Sequence, residues 1–389
     1  MTIALVLPQP PGYSETFFQS KIKGLQANGH KVILVTAASE NNFDLCTHLH
    51  HPKVYKNTIR QLLNMLFVFI CLLPYLTRVI KYVRIERKEG TLFRRLIEKI
   101  YINANLLKLK IDWLHFGFAT MSINRECVAK SIEAKLSVSF RGYDIGVYPL
   151  HNPNCYAKLW KYVNKVHYIS DDLYTKALML GLSSSVPNQK INPAININLF
   201  KLTKNKQIAS KPVFATIGRL HWKKGYVLML EALSLLNKKG IDFKYKVIGS
   251  GNDYERIAYA AFKFDILDKV EFLGKLNHEE VISNLETTDY YLQYSIQEGF
   301  CNAVLEAQAM GKLCIVSDAE GLSENVIEQQ TGWVVPRHNA KLLAKKIMAV
   351  IQLPDSEKIT ISEQASIRIK KEFSLEKQAE AFAEFYTFN

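Results

Sequence analysis

Two glutamates, Glu298 and Glu306, are separated by seven residues in the stretch 290–316. The pattern there predicts a strand, a tight loop at 295–299, a helix at 302–310 and a second strand. The start of that helix offers unpaired N–H groups and positive partial charge, which suit a phosphate. Carboxylates beside a helix N-terminus that can bind phosphate indicate a ligand with hydroxyls and phosphates, such as a nucleotide sugar. Spacing alone fits equally well the alternative that Glu298 is a solvated loop residue and Glu306 an ordinary first-turn helix carboxylate, neither of which binds a ligand.

A basic loop follows the first predicted strand of the second half of the chain. Residues 218–225 read Gly-Arg-Leu-His-Trp-Lys-Lys-Gly, so Arg219 and Lys224 could reach one anion. A pyrophosphate leaving group gains negative charge as its bond to a sugar breaks, and fixed cations stabilise that transition state more than the ground state. Arg suits bidentate contact with oxygens, whereas Lys acts as a point charge. Taken alone, two basic residues in a loop are more often simply solvated.

Two glycine-bearing turns also follow predicted strands. The glycines of Gly249-Ser250-Gly251 would let backbone approach a nucleobase or ribose closely. The turn Gly274-Lys275-Leu276 could supply backbone hydrogen bonds to a base edge. Each signal is weak in isolation, and an ordinary β–α turn explains the second one as well.

Strands and helices alternate along the whole chain, which predicts an α/β fold with doubly wound parallel sheets. The polar, proline-containing stretch 183–211 breaks the alternation and is the best domain linker. We therefore expect an N-terminal domain at 1–200 and a C-terminal domain at 201–373. The amphipathic stretch 374–389 predicts a last helix that packs either back on the first domain or on the second.

The composition is ordinary for a globular protein: of 389 residues, 48% are hydrophobic and 22% are charged. Six cysteines without a C-x-x-C pair argue against a zinc ribbon or a disulfide framework and favour a reducing compartment. The N-terminus resembles a first strand rather than a signal peptide. We therefore expect a cytoplasmic protein. The net charge of +14 suits phosphorylated substrates or an anionic membrane, whereas no fingerprint of nucleic-acid binding is present.

The stretch 56–110 combines an apolar run at 62–76, interrupted by Pro74, with many basic residues and few acids. The run is too short for a comfortable membrane span. From Leu92 onward, apolar residues recur at helical spacing. One interpretation is a set of core-facing helices with a solvated basic face. The other is a basic, apolar surface that rests on an anionic membrane.

Together these motifs resemble glycosyltransferase family 4, a large retaining group with the GT-B fold. The matching segments are Gly218-Arg219-Leu220 with Lys224-Gly225, Ile248-Gly249-Ser250-Gly251, Phe272-Leu273-Gly274, and Glu298-Gly299-Phe300-Cys301-Asn302 with Glu306-Ala307-Gln308-Ala309-Met310-Gly311. The last one contains the family's pattern of two Glu separated by seven residues. Gly321 and Glu324 fit the next family segment. The resemblance covers the second domain almost end to end, and it implies two Rossmann-like domains that face a cleft.

The first domain is similar to bacterial members that build surface polysaccharides. The similar segments are residues 11–17, 29–32, 115–117 and 142–144. Many relatives carry a His, which contacts the transferred sugar, where this chain has Arg141. On the acceptor side the resemblance therefore implies Arg141, Asp144 and His115 as candidates. Gly12 would approach the donor phosphates from across the cleft.

Family resemblance also implies roles in the second domain. Arg219 and Lys224 would bind the diphosphate, Glu298 the hydroxyls of the donor sugar, and Glu306 the ribose hydroxyls. The remaining donor-binding candidates are Gly249, Leu276, Gly299, Phe300, Cys301 and Asn302. The family uses no essential metal, and the sequence lacks the D-x-D triplet of metal-dependent transferases, so we expect neither a metal nor a cofactor.

The resemblance implies a retaining transferase, a hexosyltransferase in the first instance, that moves a sugar from a nucleotide-diphosphate sugar to a saccharide or lipid-linked saccharide. Its place would be cell-surface polysaccharide biosynthesis (exopolysaccharide, capsule or O-antigen) at the inner face of the cytoplasmic membrane. Two alternatives stay open. One keeps the fold as a nucleotide-sugar 2-epimerase or a phosphorylase. The other is a non-catalytic membrane-docking subunit.

Overall fold

A computed structural model describes residues 1–12, 16–37, 43–202 and 211–387. It divides into two compact units, one of Met1–Ile191 with Gln378–Asn389 and one of Asn192–Lys377. The division thus falls after Ile191, earlier than the expected boundary after residue 200. Some predicted features lie outside the described ranges, namely residues 13–15 of the first-domain motif, 203–210 of the linker and 388–389 of the final helix.

The first unit alternates strands and helices. Its elements are β1 (Thr2–Val6), α1 (Thr16–Ala27), β2 (Lys31–Thr36), β3 (Thr47–His50), α2 (Thr58–Ile70), α3 (Leu76–Lys88), α4 (Phe93–Leu107), β4 (Trp113–Phe116), α5 (Val128–Ser131), β5 (Lys135–Phe140), α6 (Gly142–Gly146), α7 (Tyr148–His151), α8 (Ala157–Tyr162), β6 (Lys165–Tyr168), α9 (Asp171–Met179) and β7 (Asn188–Lys190). Between β4 and β5 the sequence predicts one long helix, but the structure has a 3₁₀ turn at Ala119–Ser122 and the short α5.

In the described part of the first unit, seven parallel strands form one sheet in the order β3-β2-β1-β4-β5-β6-β7. The order reverses direction beside β1, which is the arrangement of a doubly wound sheet. Strands β1 and β4 are mostly apolar and buried on both faces, as parallel strands covered by helices must be. β7 lies inside the stretch that the sequence assigns to the linker. This short polar run forms a strand because it pairs with the end of β6.

The second unit repeats the architecture. Its elements are β8 (Val213–Ile217), α10 (Tyr226–Lys238), β9 (Lys244–Ile248), α11 (Tyr254–Lys263), β10 (Val270–Gly274), α12 (His278–Glu286), β11 (Tyr290–Gln293), α13 (Asn302–Ala309), β12 (Leu313–Ser317), β13 (Trp333–Val335), α14 (Ala340–Ile351), α15 (Asp355–Glu372) and α16 (Leu375–Tyr386). Within the described ranges its sheet has six parallel strands in the order β10-β9-β8-β11-β12-β13. The expected pair of Rossmann-like domains is confirmed, and the loops after β8 and β11, which are neighbouring strands, lie at the same sheet edge.

The last helix, α16, crosses the unit boundary, and its residues from Gln378 onward belong to the first unit. Phe382, Phe385 and Tyr386 are buried there in one core cluster with residues of β1 and α1. The indole N–H of Trp113 donates to the carbonyl of Tyr386 at 3.2 Å. A helix far away in sequence thus completes the core of the N-terminal sheet, since Trp113 and Tyr386 are 273 positions apart.

The basic, apolar stretch of the first unit folds as α2, α3 and α4. Helix α4 is a core helix that buries Leu96, Tyr101 and Leu107, whereas α2 has no buried residue. The core interpretation therefore holds for α4 and is wrong for α2. In the described ranges no single helix is both long and apolar enough to cross a membrane. Helix α2 reaches the necessary length and apolar composition only together with the segment Leu73–Lys88, and the two are bent by 51° relative to each other.

Candidate active site

The loops after β8 and β11 are joined backbone to backbone. The N–H groups of Ile296 and Gln297 donate to the carbonyl of Lys223 at 2.6 and 3.2 Å. Gly225 has a φ of 67°, and a Cβ there would lie 2.1 Å from the carbonyl oxygen of Tyr294. Only glycine fits such a close backbone approach without strain. These contacts hold the backbone on both sides of Lys224 against the second loop.

Lys224 and Glu298 form an ion pair between these two loops, Nζ to Oε2. The side chains are only 18% and 15% exposed, so solvent screens the pair weakly. Burial alone would lower the pKa of Lys224, but the Glu298 carboxylate outweighs it, and the pKa lies above its ordinary value. Lys224 is therefore a fixed cation at neutral pH. The sequence predicts both residues as site residues, and the structure brings them into contact.

A line of buried polar side chains leads from strand β11 to Glu298. The Tyr291 hydroxyl lies 3.0 Å from Gln293 Oε1, and Gln293 Nε2 donates to Ser295 Oγ at 2.9 Å. Ser295 Oγ in turn faces Glu298 Oε2 at 3.4 Å. Sequence reasoning misses these three residues. Their alternate spacing, which places polar groups along one face of a strand, is the signal that could have found them.

Arg219 and the glycine turn after β9 complete this part of the sheet edge. Arg219 is exposed, and its charge opposes protonation of Lys224, so the two cations act on the same region. A Cβ at Gly249 would lie 2.0 Å from the Gly218 carbonyl oxygen, so the turn packs directly on the basic loop. The Gly249 N–H donates to the Gly274 carbonyl at 2.7 Å, which holds the next turn, and the half-buried Leu276 beyond it, against the first.

Helix α13 begins directly after the Glu298 loop. Gly299, Phe300 and Cys301 are buried, and Asn302 is half-buried at the first helical position. The buried Asn325 amide holds Cys301 from both sides, because its Oδ1 accepts from the Cys301 N–H at 3.2 Å and its Nδ2 donates to the Cys301 carbonyl at 2.9 Å. Burial raises the pKa of the Cys301 thiol to about 12, so it is no thiolate nucleophile at neutral pH.

Glu306 lies one turn into α13. Burial raises the pKa of its carboxyl group to about 7. Its carboxylate makes no hydrogen bond within the ranges that the structure describes, and residues 299–302 precede it at the helix N-terminus. A half-buried carboxylate without a partner is suited to accept hydroxyl hydrogens from a ligand.

A cavity of about 430 Å³ also borders the basic loop. Its walls include His221, Trp222, Tyr226 and Arg256. Its lining does not include Arg219, Lys224, Glu298 or Glu306. The predicted site residues therefore belong to the sheet edge and not to this cavity.

Arg141 and Asp144 lie together in the first unit, at the end of β5. The Arg141 guanidinium rests over Phe17, 3.8 Å from the ring centroid, and over Phe18 at 4.8 Å. Asp144 is buried and accepts from the backbone N–H groups of Arg141 at 2.8 Å and Ala119 at 2.7 Å. Burial raises the pKa of Asp144 to about 7. Asp144 therefore shapes the turn that presents the half-buried Arg141.

His115 lies inside the first unit with no exposed surface. Its ring nitrogens face Ser139 Oγ at 2.8 Å and the Tyr386 hydroxyl at 2.7 Å. These bonds connect β4 and β5 to α16, which is a structural role. Gly12, by contrast, is exposed on the loop after β1, and no atom lies within 4 Å of the position that a Cβ would take there.

The second unit thus presents two cations, two carboxylates and a helix N-terminus along one sheet edge. Cations and helix N–H groups can bind a phosphate group, and carboxylates can accept sugar or ribose hydroxyls. In the described ranges no three His, Cys, Asp or Glu residues are grouped so as to hold a metal ion.

Comparison with known families agrees with this geometry. A sequence model described as "Glycosyl transferases group 1" matches residues 200–366, which include the basic loop, both glycine turns and both glutamates. The matched residues lie within the second unit, and we call them the group 1 domain after the model.

Several curated relatives of this chain are named as glycosyltransferases. A glycosyltransferase named for colanic acid biosynthesis, WcaL of Escherichia coli (strain K12), is 26% identical over 271 residues, which are 67% of this chain and 66% of WcaL. The N,N'-diacetylbacillosaminyl-diphospho-undecaprenol alpha-1,3-N-acetylgalactosaminyltransferase of Campylobacter jejuni is 32% identical over 149 residues, 38% of each chain. The alignment with WcaL therefore falls just short of two thirds of that relative.

A glycosyltransferase from Rickettsia africae is similar in structure. Its TM-score is 0.72 with 20% sequence identity, over 99% of this chain and 97% of that one. At this identity the likeness shows the fold, and it agrees with the two-domain GT-B architecture that the sequence predicts.

The close approach of backbone at Gly225 generates a prediction for the group 1 domain. Gly225→Ala forces a Cβ against the Tyr294 carbonyl and separates the loops that carry Lys224 and Glu298. We expect a loss of about 2 to 3 kcal/mol in the free energy of unfolding, measured by urea denaturation.

Gly240→Ala is the matched control, because Gly240 also has a positive φ, 77°, but nothing lies within 4 Å of its added Cβ. This variant should lose only the left-handed backbone cost of about 1 kcal/mol. Equal losses for the two variants would contradict the close packing of the loops.

Proposed function

We propose that this chain is a retaining glycosyltransferase of the family 4 type, which transfers a sugar, a hexose in the first instance, from a nucleotide-diphosphate sugar to a saccharide or lipid-linked saccharide. The observation that carries the proposal is the Lys224–Glu298 ion pair, held at the start of α13 beside Arg219. A cation and a carboxylate in contact can bind a diphosphate and a sugar hydroxyl that are adjacent in one ligand. The group 1 domain match supports the same activity.

Each group then has a task that its chemistry suits. Arg219 and Lys224 would bind the diphosphate, and the backbone of residues 299–302 would add N–H donors at the start of α13. Glu298 would accept hydroxyl hydrogens of the transferred sugar, and Glu306 those of the ribose. The roles of Gly249 and Leu276 beside the base, of Gly12 beside the phosphates, and of Arg141 on the acceptor side stay predictions.

In the reaction, the acceptor oxygen forms a bond to the anomeric carbon while the bond from that carbon to the phosphate oxygen breaks. The electron pair leaves with the diphosphate, where Arg219 and Lys224 stabilise the added charge. The acceptor proton passes to the leaving phosphate oxygen on the same face of the sugar, so the configuration is retained. An inverted anomeric centre in the product, seen by NMR, would contradict this step. Because Arg219 and Lys224 would take the place of a divalent ion, we propose that the reaction needs no metal.

The names of two relatives support a proposal for the acceptor and the pathway. One is named for colanic acid biosynthesis, and another for a diphospho-undecaprenol substrate. We therefore propose a role in the assembly of a surface polysaccharide, at the inner face of the cytoplasmic membrane, with a lipid-linked diphosphate saccharide as one acceptor class. Peripheral contact with anionic lipid would bring the chain to such an acceptor.

Removing either partner of the central ion pair should impair transfer. We expect Lys224→Ala and Glu298→Ala each to lower kcat/KM by at least roughly tenfold, since each removes an interaction with charge or hydroxyls at the reacting end of the donor. Transfer from radiolabelled nucleotide sugars, assayed in the presence of EDTA, measures this effect and the need for a metal together.

Lys238→Ala is the control, because Lys238 is an exposed lysine at the far end of α10. It should keep wild-type kcat/KM. If Lys224→Ala and Glu298→Ala match this control, the roles given to the pair are wrong. A requirement for added divalent cation would contradict the metal-free reaction.

The raised pKa of Glu306 predicts a pH dependence of donor binding. Ribose hydroxyls donate to the carboxylate form, and with a pKa of about 7 that form grows as pH rises through neutrality. Affinity for the donor should therefore be about tenfold weaker at pH 6 than at pH 8. Calorimetry with an intact nucleotide sugar measures this effect, because its diphosphate has no proton that titrates near neutral pH.

Glu306→Gln should bind the donor more weakly and lose this pH dependence, since the amide does not titrate. A profile that stays equally steep in Glu306→Gln would assign the titration to another group and would contradict the ribose role.

A further inference from the structure

Helix α2 carries an apolar stripe that faces away from the protein. Its exposed side chains recur at helical spacing, three or four positions apart, and each is 55% to 71% exposed. They are Ile59, Leu62, Leu63, Leu66, Phe67 and Ile70. In a helix of a globular protein such a stripe normally faces the core. Here a different side of α2 faces the protein. Its half-buried side chains are Gln61, Asn64, Met65, Val68 and Phe69, and Asn64 Nδ2 donates to the Tyr101 hydroxyl of α4 at 2.5 Å.

The stripe continues beyond α2. Leu73, Leu76 and Ile80 extend it into α3, and Leu92 and Phe93 at the start of α4 are 78% and 77% exposed. Together these residues and the six of α2 form what we call the α2 surface. Exposed apolar side chains that are concentrated in this way mark a site of contact with a protein or a membrane.

Positive charge accompanies the α2 surface. Between residues 53 and 94 the exposed cations are Lys53, Lys56, Arg60, Arg84, Arg87, Lys88 and Arg94. The same span contains only two acidic residues, Glu86 and Glu89. Glu86 is buried between Lys99 and Lys158, and Glu89 pairs with Lys161 at 2.5 Å. The span itself therefore contains no exposed acid to offset these seven cations; from outside it, Glu133 pairs with the half-buried Lys81 at 2.8 Å.

We propose that the α2 surface docks on a lipid bilayer that carries anionic headgroups, with α2 lying in the plane of the interface. Its apolar stripe would enter the acyl boundary while the arginines and lysines meet headgroup phosphates. This proposal rests on the proposed function and deepens it, because it names the segment and the lipid chemistry through which the transferase would reach a lipid-linked acceptor.

The geometry favours an in-plane helix over a spanning one. At thirteen residues, α2 is roughly 20 Å long, whereas a bilayer core is about 30 Å thick. Helix α3 cannot extend it into the bilayer, because Glu86 is bound to Lys99 and Lys158, and Arg78 donates to the carbonyls of Leu107 and Leu109.

A second copy of this chain is a poorer occupant. In a twofold interface the same patch meets itself, so the arginines of α3 and α4 would face their own copies. Like charges brought together in this way oppose association. Anionic headgroups, by contrast, complement both features of the α2 surface.

Vesicle flotation with the full chain tests the proposal without donor or acceptor, so its outcome does not depend on the proposed function. With vesicles that contain anionic phospholipid, Leu63→Ser with Phe67→Ser should lower the partition coefficient at least roughly tenfold. Tyr259→Ser with Phe262→Ser is the matched control, because these two aromatic residues are similarly exposed on α11. The control should bind vesicles as the wild type does.

The charge requirement is tested in the same assay. Arg84→Gln with Arg87→Gln should weaken binding to anionic vesicles, by about fivefold for each charge removed, and wild-type binding should fall on vesicles of phosphatidylcholine alone. Lys238→Gln with Lys239→Gln, two exposed lysines of the second unit, should change nothing. Binding that ignores both the lipid charge and the arginines overturns the proposal.

Two further measurements test the insertion of α2 into lipid and the self-association of the chain. The fluorescence of Phe67→Trp should shift to shorter wavelength when anionic vesicles are added, and an unchanged spectrum overturns insertion of α2. Sedimentation velocity without lipid reports self-association. A wild-type dimer that Leu63→Ser with Phe67→Ser converts to monomer, with vesicle binding unaffected, would assign the α2 surface to a second copy and overturn the membrane proposal.

Discussion

The contact between Lys224 and Glu298 sets the requirements for the rest of the second unit. The two residues are 74 positions apart, so two different loops must meet within the length of two side chains. That meeting depends on the β8–β11 pairing, which brings both loops to one sheet edge, and on Gly225, which lets the Tyr294 carbonyl approach. A half-buried ion pair stabilises little by itself, because desolvation of both charges opposes their attraction. Its value is to hold a cation and a carboxylate ready for a ligand that contains both an anion and hydroxyls.

The surroundings of the pair limit its movement. Ser295 and Gln293 connect Glu298 to Tyr291, whose hydroxyl also lies 3.2 Å from the N–H of Ile217 at the end of β8. The carboxylate is thus connected to the same strand that leads into the Lys224 loop. On the other side, Asn325 fixes Cys301, and with it the start of α13. Preorganised groups of this kind lower the cost of binding a charged ligand, because little reorganisation remains to be done.

Local features of the second unit could be predicted from the sequence. The strand, loop and helix around Glu298 are clear because apolar runs, glycine stops and helix formers follow each other within one short stretch. The two glutamates and the basic loop also carry patterns that identify them. The buried line from Tyr291 to Ser295 could not be predicted, since a polar residue in a strand gives no sign of which partners satisfy it. Nor could the pairing of Lys224 with Glu298, which is a product of strand order.

In the first unit the sequence is less informative for a physical reason. Periodicity shows that α2 has an apolar stripe, but it does not show whether the core of the protein or something outside the protein covers that stripe. His115 and Asp144 have the residue types of binding groups, yet their neighbours lie on distant elements, and they are buried with structural hydrogen bonds. Arg141 is different, because three phenylalanine rings support it while it stays half-buried.

We infer above all that the group 1 domain binds a nucleotide-diphosphate sugar, and this claim can be tested by thermal denaturation of the protein with a panel of such sugars. A ligand that binds the native state alone raises the melting temperature. We expect at least one nucleotide-diphosphate sugar to raise it by several degrees, and the free sugar and the nucleoside without phosphates to leave it unchanged. A panel in which no compound shifts the melting temperature at millimolar concentration would contradict the claim.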